Sequence, residues 1–146
     1  MKISTKGRYA IRLMVDIAEH DRSGNVSMKD VAKRQNISLK YLEQIVNMLG
    51  KAGYLKSRRG SQGGYQMTRE PEEYTIADIL RVTEGDFAPV ACLEGEENTC
   101  PNRMRCPTIK MWEGLYNVVN DYLSNVTIAD LLKEKNTKSG DFGYYI

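Results

Sequence analysis

Only Gln35-Asn36-Ile37 separates two amphipathic helical patterns near the start of this chain, and so short a break leaves little choice but a helix-turn-helix. Ser27, with Asp30 three residues later, has the form of a capping box, and Met28, Val31 and Ala32 supply the inner face of the helix it opens. Ser38 is placed to cap the next helix, whose Leu42, Ile45, Val46 and Leu49 form an apolar stripe until Gly53 stops it. Upstream, Tyr9, Leu13, Met14, Ile17 and Ala18 recur at helical spacing in a segment that ends near His20 and is followed by the turn Asp21-Arg22-Ser23-Gly24-Asn25.

Beyond Gly53, Tyr54-Leu55-Lys56-Ser57 and Tyr65-Gln66-Met67-Thr68 read as paired strands around the basic loop Arg58-Arg59-Gly60-Ser61-Gln62-Gly63-Gly64. A helix-turn-helix with such a wing suits duplex DNA: the third helix fits the major groove, and a long cation on the wing reaches the minor groove. Opposite the apolar stripe stand Ser38, Lys40, Tyr41, Glu43, Gln44 and Asn47. These side chains read base edges or hold phosphates, and the charge of Glu43 favours selectivity over bulk affinity. The glycine-rich loop is no P-loop, because it lacks the Lys-Ser/Thr ending and joins strands rather than opening a helix.

Charge divides the chain in the same sense. Residues 1–70 hold 14 Lys and Arg against 6 Asp and Glu, whereas residues 71–146 hold 7 against 13. The basic half suits a polyanion and the acidic half does not. No apolar run reaches the roughly 20 residues that span a bilayer, and no signal peptide is visible, so a cytoplasmic protein is expected.

After Pro71, Thr75 to Asp78 forms a second capping box, opening a short helix to about Glu84, and Thr127 to Asp130 nearly repeats it. Between them, about 108–124, Ile109, Met111, Trp112, Leu115, Tyr116, Val118, Val119 and Tyr122 spread round a helix that needs partners on more than one side. The same helix of a second subunit is the simplest partner, giving a homodimer on a pseudo-palindromic operator. The expected class is mainly α with a small β-hairpin wing: a winged helix-turn-helix with a long C-terminal dimerisation helix. Its segments are 1–84 for DNA binding, 85–107 for a sensor loop, 108–132 for dimerisation and 133–146 for a polar, mobile tail on which Phe142, Tyr144, Tyr145 and Ile146 dock back to the body.

Cys92, Cys100 and Cys106 all fall in the sensor loop, with seven and five residues between them. That spacing is too loose for a zinc ribbon but suits a loop wrapped around an iron-sulfur cluster, with zinc as the rival metal. Arg103 and Arg105 stand nearby, where they would stabilise thiolates, and an odd cysteine count argues against a disulfide framework. With His20 as the only histidine, a Ser/His/Asp or Cys/His catalytic arrangement lacks partners, so no enzyme is expected. His20 itself fits a helix C-terminal dipole partner. A small electron carrier is the remaining alternative, and a helix-turn-helix is an odd companion for one.

Met1 to Ala10, Tyr41-Leu42-Glu43-Gln44, Arg58-Arg59-Gly60 and Gly63-Gly64-Tyr65 together resemble the Rrf-two family of winged-helix regulators over nearly the whole chain. The resemblance implies a dimeric, DNA-binding repressor with a long crossed helix. It makes Ser38, Tyr41, Glu43 and Gln44 helix contacts, Arg59 the minor-groove residue, and Cys92, Cys100 and Cys106 the ligands of an iron-sulfur cluster, 2Fe-2S before 4Fe-4S. Lys40 and Arg58 complete the expected DNA-binding set. The chain departs from that pattern where the cluster members carry a histidine after the third cysteine, since Pro107-Thr108-Ile109-Lys110 stands there. Arg8 likewise replaces the carboxylate that nitric-oxide-sensing relatives use, leaving Asp86, Glu94, Glu96, Glu97 or an exogenous thiol as the fourth ligand. The closing Tyr144-Tyr145-Ile146 is similar to a cluster-free branch that regulates cysteine metabolism with a partner enzyme, which implies control by thiol oxidation or by a second protein.

Overall fold

The computed structural model describes residues 1–21 and 24–141. Its elements run α1 (Thr5–His20), α2 (Met28–Gln35), α3 (Leu39–Lys51), β1 (Leu55–Arg58), β2 (Gly64–Met67), α4 (Ile76–Glu84), α5 (Ile109–Asn125) and α6 (Ile128–Asp141). The mainly helical winged helix-turn-helix read from the sequence is the fold observed.

Helix α1 is the hub, packing on α2, α3, α4 and α6. Ala10, Leu13, Met14 and Ile17 are fully buried on it, and Leu42, Ile45, Val46 and Leu49 of α3 meet them in the same core. Truncating one of these leucines to Ala is expected to cost about 2 to 5 kcal/mol. Ser4 caps α1 by accepting a hydrogen bond from Gly7 N at 3.1 Å. Gly7 lets α1 approach α4 closely, since a Cβ there would lie 2.5 Å from Glu84 Oε1 and 3.0 Å from Leu80 Cδ2 and would have to push the Glu84 carboxylate aside.

Helix α2 ends as expected: Asn36 adopts a left-handed conformation (φ 52°) and turns the chain into α3. Its start differs, because the Ser27 side chain makes no capping hydrogen bond and the expected capping box is not formed. Tertiary pairing holds this segment instead, with Val26 and Tyr65 exchanging two backbone hydrogen bonds of 2.9 Å. The wing strands lie one residue from their expected bounds, pairing Leu55 with Met67 through Arg58 with Gly64.

Tyr74 closes the wing onto the body from full burial. Its hydroxyl donates to Tyr54 O at 3.0 Å and accepts from Thr68 N at 3.1 Å and Arg69 N at 2.9 Å. The capping boxes at Thr75–Asp78 and Thr127–Asp130 both form. An antiparallel bridge between Thr75 and Thr127 places the two helix starts side by side.

Residues 133–141, expected as a mobile tail, are the continuation of α6. Lys135 pairs with Glu19 of α1, and Lys138 with Glu134 one turn back at 2.7 Å, which holds a segment that lacks an apolar stripe of its own. The docking expected of Phe142, Tyr144, Tyr145 and Ile146, and the Arg22-Ser23 part of the first turn, lie outside the described residues.

Candidate nucleic-acid interface and cysteine loop

On α3, burial of the apolar stripe turns Lys40, Glu43, Gln44 and Asn47 to the exposed side. Ser38 is committed to the helix start, its Oγ accepting from Tyr41 N at 3.2 Å. Tyr41 is half-buried, its ring meeting Tyr9 of α1 edge to face with centroids 5.8 Å apart.

The wing carries Arg58 and Arg59 fully on its exposed side. Gly60 takes φ 119°, which a side chain rarely tolerates, and a Cβ at Gly63 would stand 2.4 Å from Arg58 O. At the base of the wing a Cβ on Gly64 would lie 2.4 Å from Val26 O. The glycines therefore let the loop fold tightly and let the hairpin press on the Val26 segment before α2. Asn25 Nδ2 also donates to Gln62 O at 3.4 Å.

α3 and the wing thus belong to one packed unit, separated by a cleft of about 380 Å³ whose lining includes Glu43, Asn47, Lys51, Ser57 and Tyr65. Beyond Glu43 and Asn47, Lys51 is marked by no sequence motif, and Ser57 and Tyr65 are expected from the sequence only as strand residues.

The cysteine loop leaves α4 at Gly85. Cys92 sits in a single 3-10 turn, Ala91–Leu93, and Cys100 N donates to Asn98 Oδ1 at 2.9 Å. Cys106 lies just before α5, its sulfur 3.4 Å from Thr108 Oγ1. The Thr108 hydroxyl, followed by the backbone N–H groups of Thr108 and Ile109, lowers the Cys106 thiol below its ordinary value. The expected arginine contribution differs: Arg103 donates to Asn98 O at 2.9 Å. All three thiols are half-buried and free.

As soft donors on one irregular loop the three thiols suit iron or zinc chemically. Their placement does not: among the described residues no group of three or more His, Cys, Asp or Glu side chains is gathered closely enough to hold an ion. None of Asp86, Glu94, Glu96 or Glu97 is drawn into such a group as a fourth ligand.

The loop is nevertheless fastened to the helices at its start. Asp86 accepts from the Tyr116 hydroxyl of α5 at 2.8 Å and from Ala88 N at 3.0 Å. Phe87 is buried, with the Arg81 guanidinium 5.3 Å above its ring, and Arg81 donates to Asn120 of α5 at 3.1 Å. One turn earlier, Glu84 accepts from the Ser4 hydroxyl and from Ser4 N, joining the end of α4 to the start of α1.

Helix α5 contains no buried residue, and Met111, Leu115, Val118 and Tyr122 are exposed along it. Val118, Val119, Tyr122 and Leu123 line an apolar groove with Met1, Ile3 and Leu80. No helix among the described residues is long and apolar enough to cross a membrane.

Comparison with known proteins agrees with this architecture. Residues 3–134 match the family described as "Rrf2: Iron-dependent Transcriptional regulator". Protein rrf2 of Nitratidesulfovibrio vulgaris is 41% identical over 135 residues, covering 92% of this chain and 89% of the relative. The transcriptional regulator CymR of Bacillus subtilis is 38% identical over 146 residues, the full length of both chains. The solved structure of that global cysteine regulator superposes with a TM-score of 0.76 at 40% identity, covering 92% of this chain and 98% of the other. T. potens IscR superposes with a TM-score of 0.74 at 39% identity, covering 92% and 88%. With the family pattern spanning almost the whole chain and relatives matching it nearly end to end, the chain belongs to the Rrf2 family of transcriptional regulators.

Proposed function

We propose that the chain is a dimeric repressor that binds a pseudo-palindromic operator and whose affinity is set by the state of its cysteine loop. The observation that carries the DNA-binding part is the joint presentation of the α3 polar face and the basic wing by one packed unit, fastened where Gly64 presses on Val26. Lys40, Glu43, Gln44 and Asn47 face the major groove, with Tyr41 at their edge. Arg59 enters the minor groove, and Arg58 and Ser38 hold the backbone. The exposed α5 stripe, continuous with the apolar groove at Met1 and Ile3, is covered by a second copy.

Two chemistries serve as the loop's signal. An iron-sulfur cluster on Cys92, Cys100 and Cys106 is supported by three soft donors on one loop and by the iron dependence in the family's description. Control by thiol oxidation or by a partner protein of sulfur metabolism is favoured by the three free thiols and by full-length similarity to a cysteine regulator. Assays of iron, acid-labile sulfide and zinc on anaerobically purified protein separate the two.

The DNA-binding reading is tested by selecting duplexes from a random pool. Two inverted half-sites about one helical turn apart are expected, as for dimeric recognition helices. Recovery of no common sequence would contradict the reading.

A further inference from the structure

A continuous set of contacts on α1 grips both sides of the turn between α2 and α3. The Asp16 carboxylate, 1% exposed, accepts from Arg34 Nη2 at 2.6 Å and from Gln35 Nε2 at 2.7 Å. Gln35 is the last residue of α2, and Arg12 holds it from the other side: Arg12 Nε donates to Gln35 Oε1 at 3.0 Å and Nη2 to Gln35 O at 2.6 Å. The same guanidinium lies 5.2 Å from the centroid of the Tyr9 ring, and Tyr9 packs edge to face on Tyr41 of α3.

Arg12 therefore ties the carbonyl before the left-handed Asn36 to the ring that supports Tyr41. A planar fork with two hydrogen bonds and a stacked ring fixes orientation, which an ammonium group would not. We infer that Arg12 is a positioning residue for operator recognition: it sets Tyr41 and the first turn of α3 through Tyr9 and Gln35. This rests on the DNA-binding reading proposed above.

The test compares wild type with Arg12→Ala, Arg12→Lys, Tyr9→Leu and the double variant Arg12→Ala/Tyr9→Leu. Each is titrated with the selected operator and with a scrambled duplex across a salt series, and melting temperatures establish that the variants fold. Arg12→Ala is expected to weaken operator binding about tenfold, a typical loss for one specific contact, while the scrambled duplex and the salt slope stay as in wild type. Arg12→Lys restores little, and the double variant is no weaker than the worse single one, because both act on one contact chain. Tyr9→Leu keeps the inference testable should an Arg12 variant fold poorly.

Equal losses on both duplexes, a shallower salt slope and rescue by Lys would instead make Arg12 a phosphate contact and overturn the inference. Strictly additive losses would overturn it as well. Failure of the underlying reading looks different, since wild type would then show no operator preference.

Discussion

The hydroxyl of Tyr116 on α5 donates to the carboxylate of Asp86 at 2.8 Å, and the same carboxylate accepts Gly95 N at 3.4 Å from within the cysteine loop. One side chain thus joins the loop that carries the thiols to the helix proposed to form the dimer. That hydrogen bond raises the Tyr116 hydroxyl above its ordinary value. Removing it with Tyr116→Phe is expected to cost only about 1 kcal/mol of stability, the net worth of one hydrogen bond. Hydrogen exchange of residues 86–95 should nevertheless rise in the variant, and unchanged exchange would show that the latch is not what orders the loop.

Asp16 tests the helix-turn-helix frame. Burial raises its pKa, but hydrogen bonds from Arg34 and Gln35, with the Arg34 charge, outweigh burial and bring it below the ordinary aspartate range. Its contribution is therefore complete above the unfolded-state pKa and is lost as pH falls through the depressed folded value. Arg34 is a third exposed, so Asp16→Ala should cost about 2 to 3 kcal/mol rather than the roughly 3 to 5 of a wholly buried pair. Urea unfolding from pH 7 into the acid range should show the variant's deficit shrinking with acidity; a deficit independent of pH would refute the assignment.

Arg59→Ala should weaken operator binding by about 1 to 3 kcal/mol, roughly 5- to 150-fold, if the wing enters the minor groove. The loss should concentrate at A·T-rich positions, where the groove is narrow. Gly64→Ala should lower affinity by a different route, since its Cβ meets Val26 O at 2.4 Å and must displace the wing. Fluorescence anisotropy with wild-type affinity for Gly64→Ala would contradict the packed-unit account.

Charge on the exposed stripe of α5 should dissociate the proposed dimer. Val118 is 67% exposed in the single chain, so Val118→Lys has no core packing to disrupt. Light scattering should report monomer, and operator binding should fall steeply because two half-sites are no longer engaged together. A dimer of undiminished stability would place the interface elsewhere.

Much of this frame was legible in sequence because it rests on local patterns. The stripe Leu42, Ile45, Val46 and Leu49, the helix break at Gln35-Asn36-Ile37 and the paired Thr–Asp capping boxes each need only neighbours within a few residues. What escaped depends on distant partners. The missing Ser27 cap and the shifted wing follow from the pairing of Val26 with Tyr65. The length of α6 is supported by the pairing of Lys135 with Glu19, 116 residues away. The support of Tyr41 by Tyr9 crosses from α3 to α1. Spacing alone placed three thiols on one loop, but whether they meet is decided by the loop's own folds, and among the described residues they are not gathered into a group that could hold an ion.

Operator affinity of the Cys92→Ala/Cys100→Ala/Cys106→Ala variant, measured beside anaerobically purified wild type with both melting temperatures recorded, tests the central claim most directly. A change in affinity of about tenfold or more, the scale of a coupling of 1 to 3 kcal/mol, is expected while the melting temperature stays close to wild type. Identical affinities would contradict the claim and leave a transcriptional regulator whose cysteine loop does not control its binding to DNA.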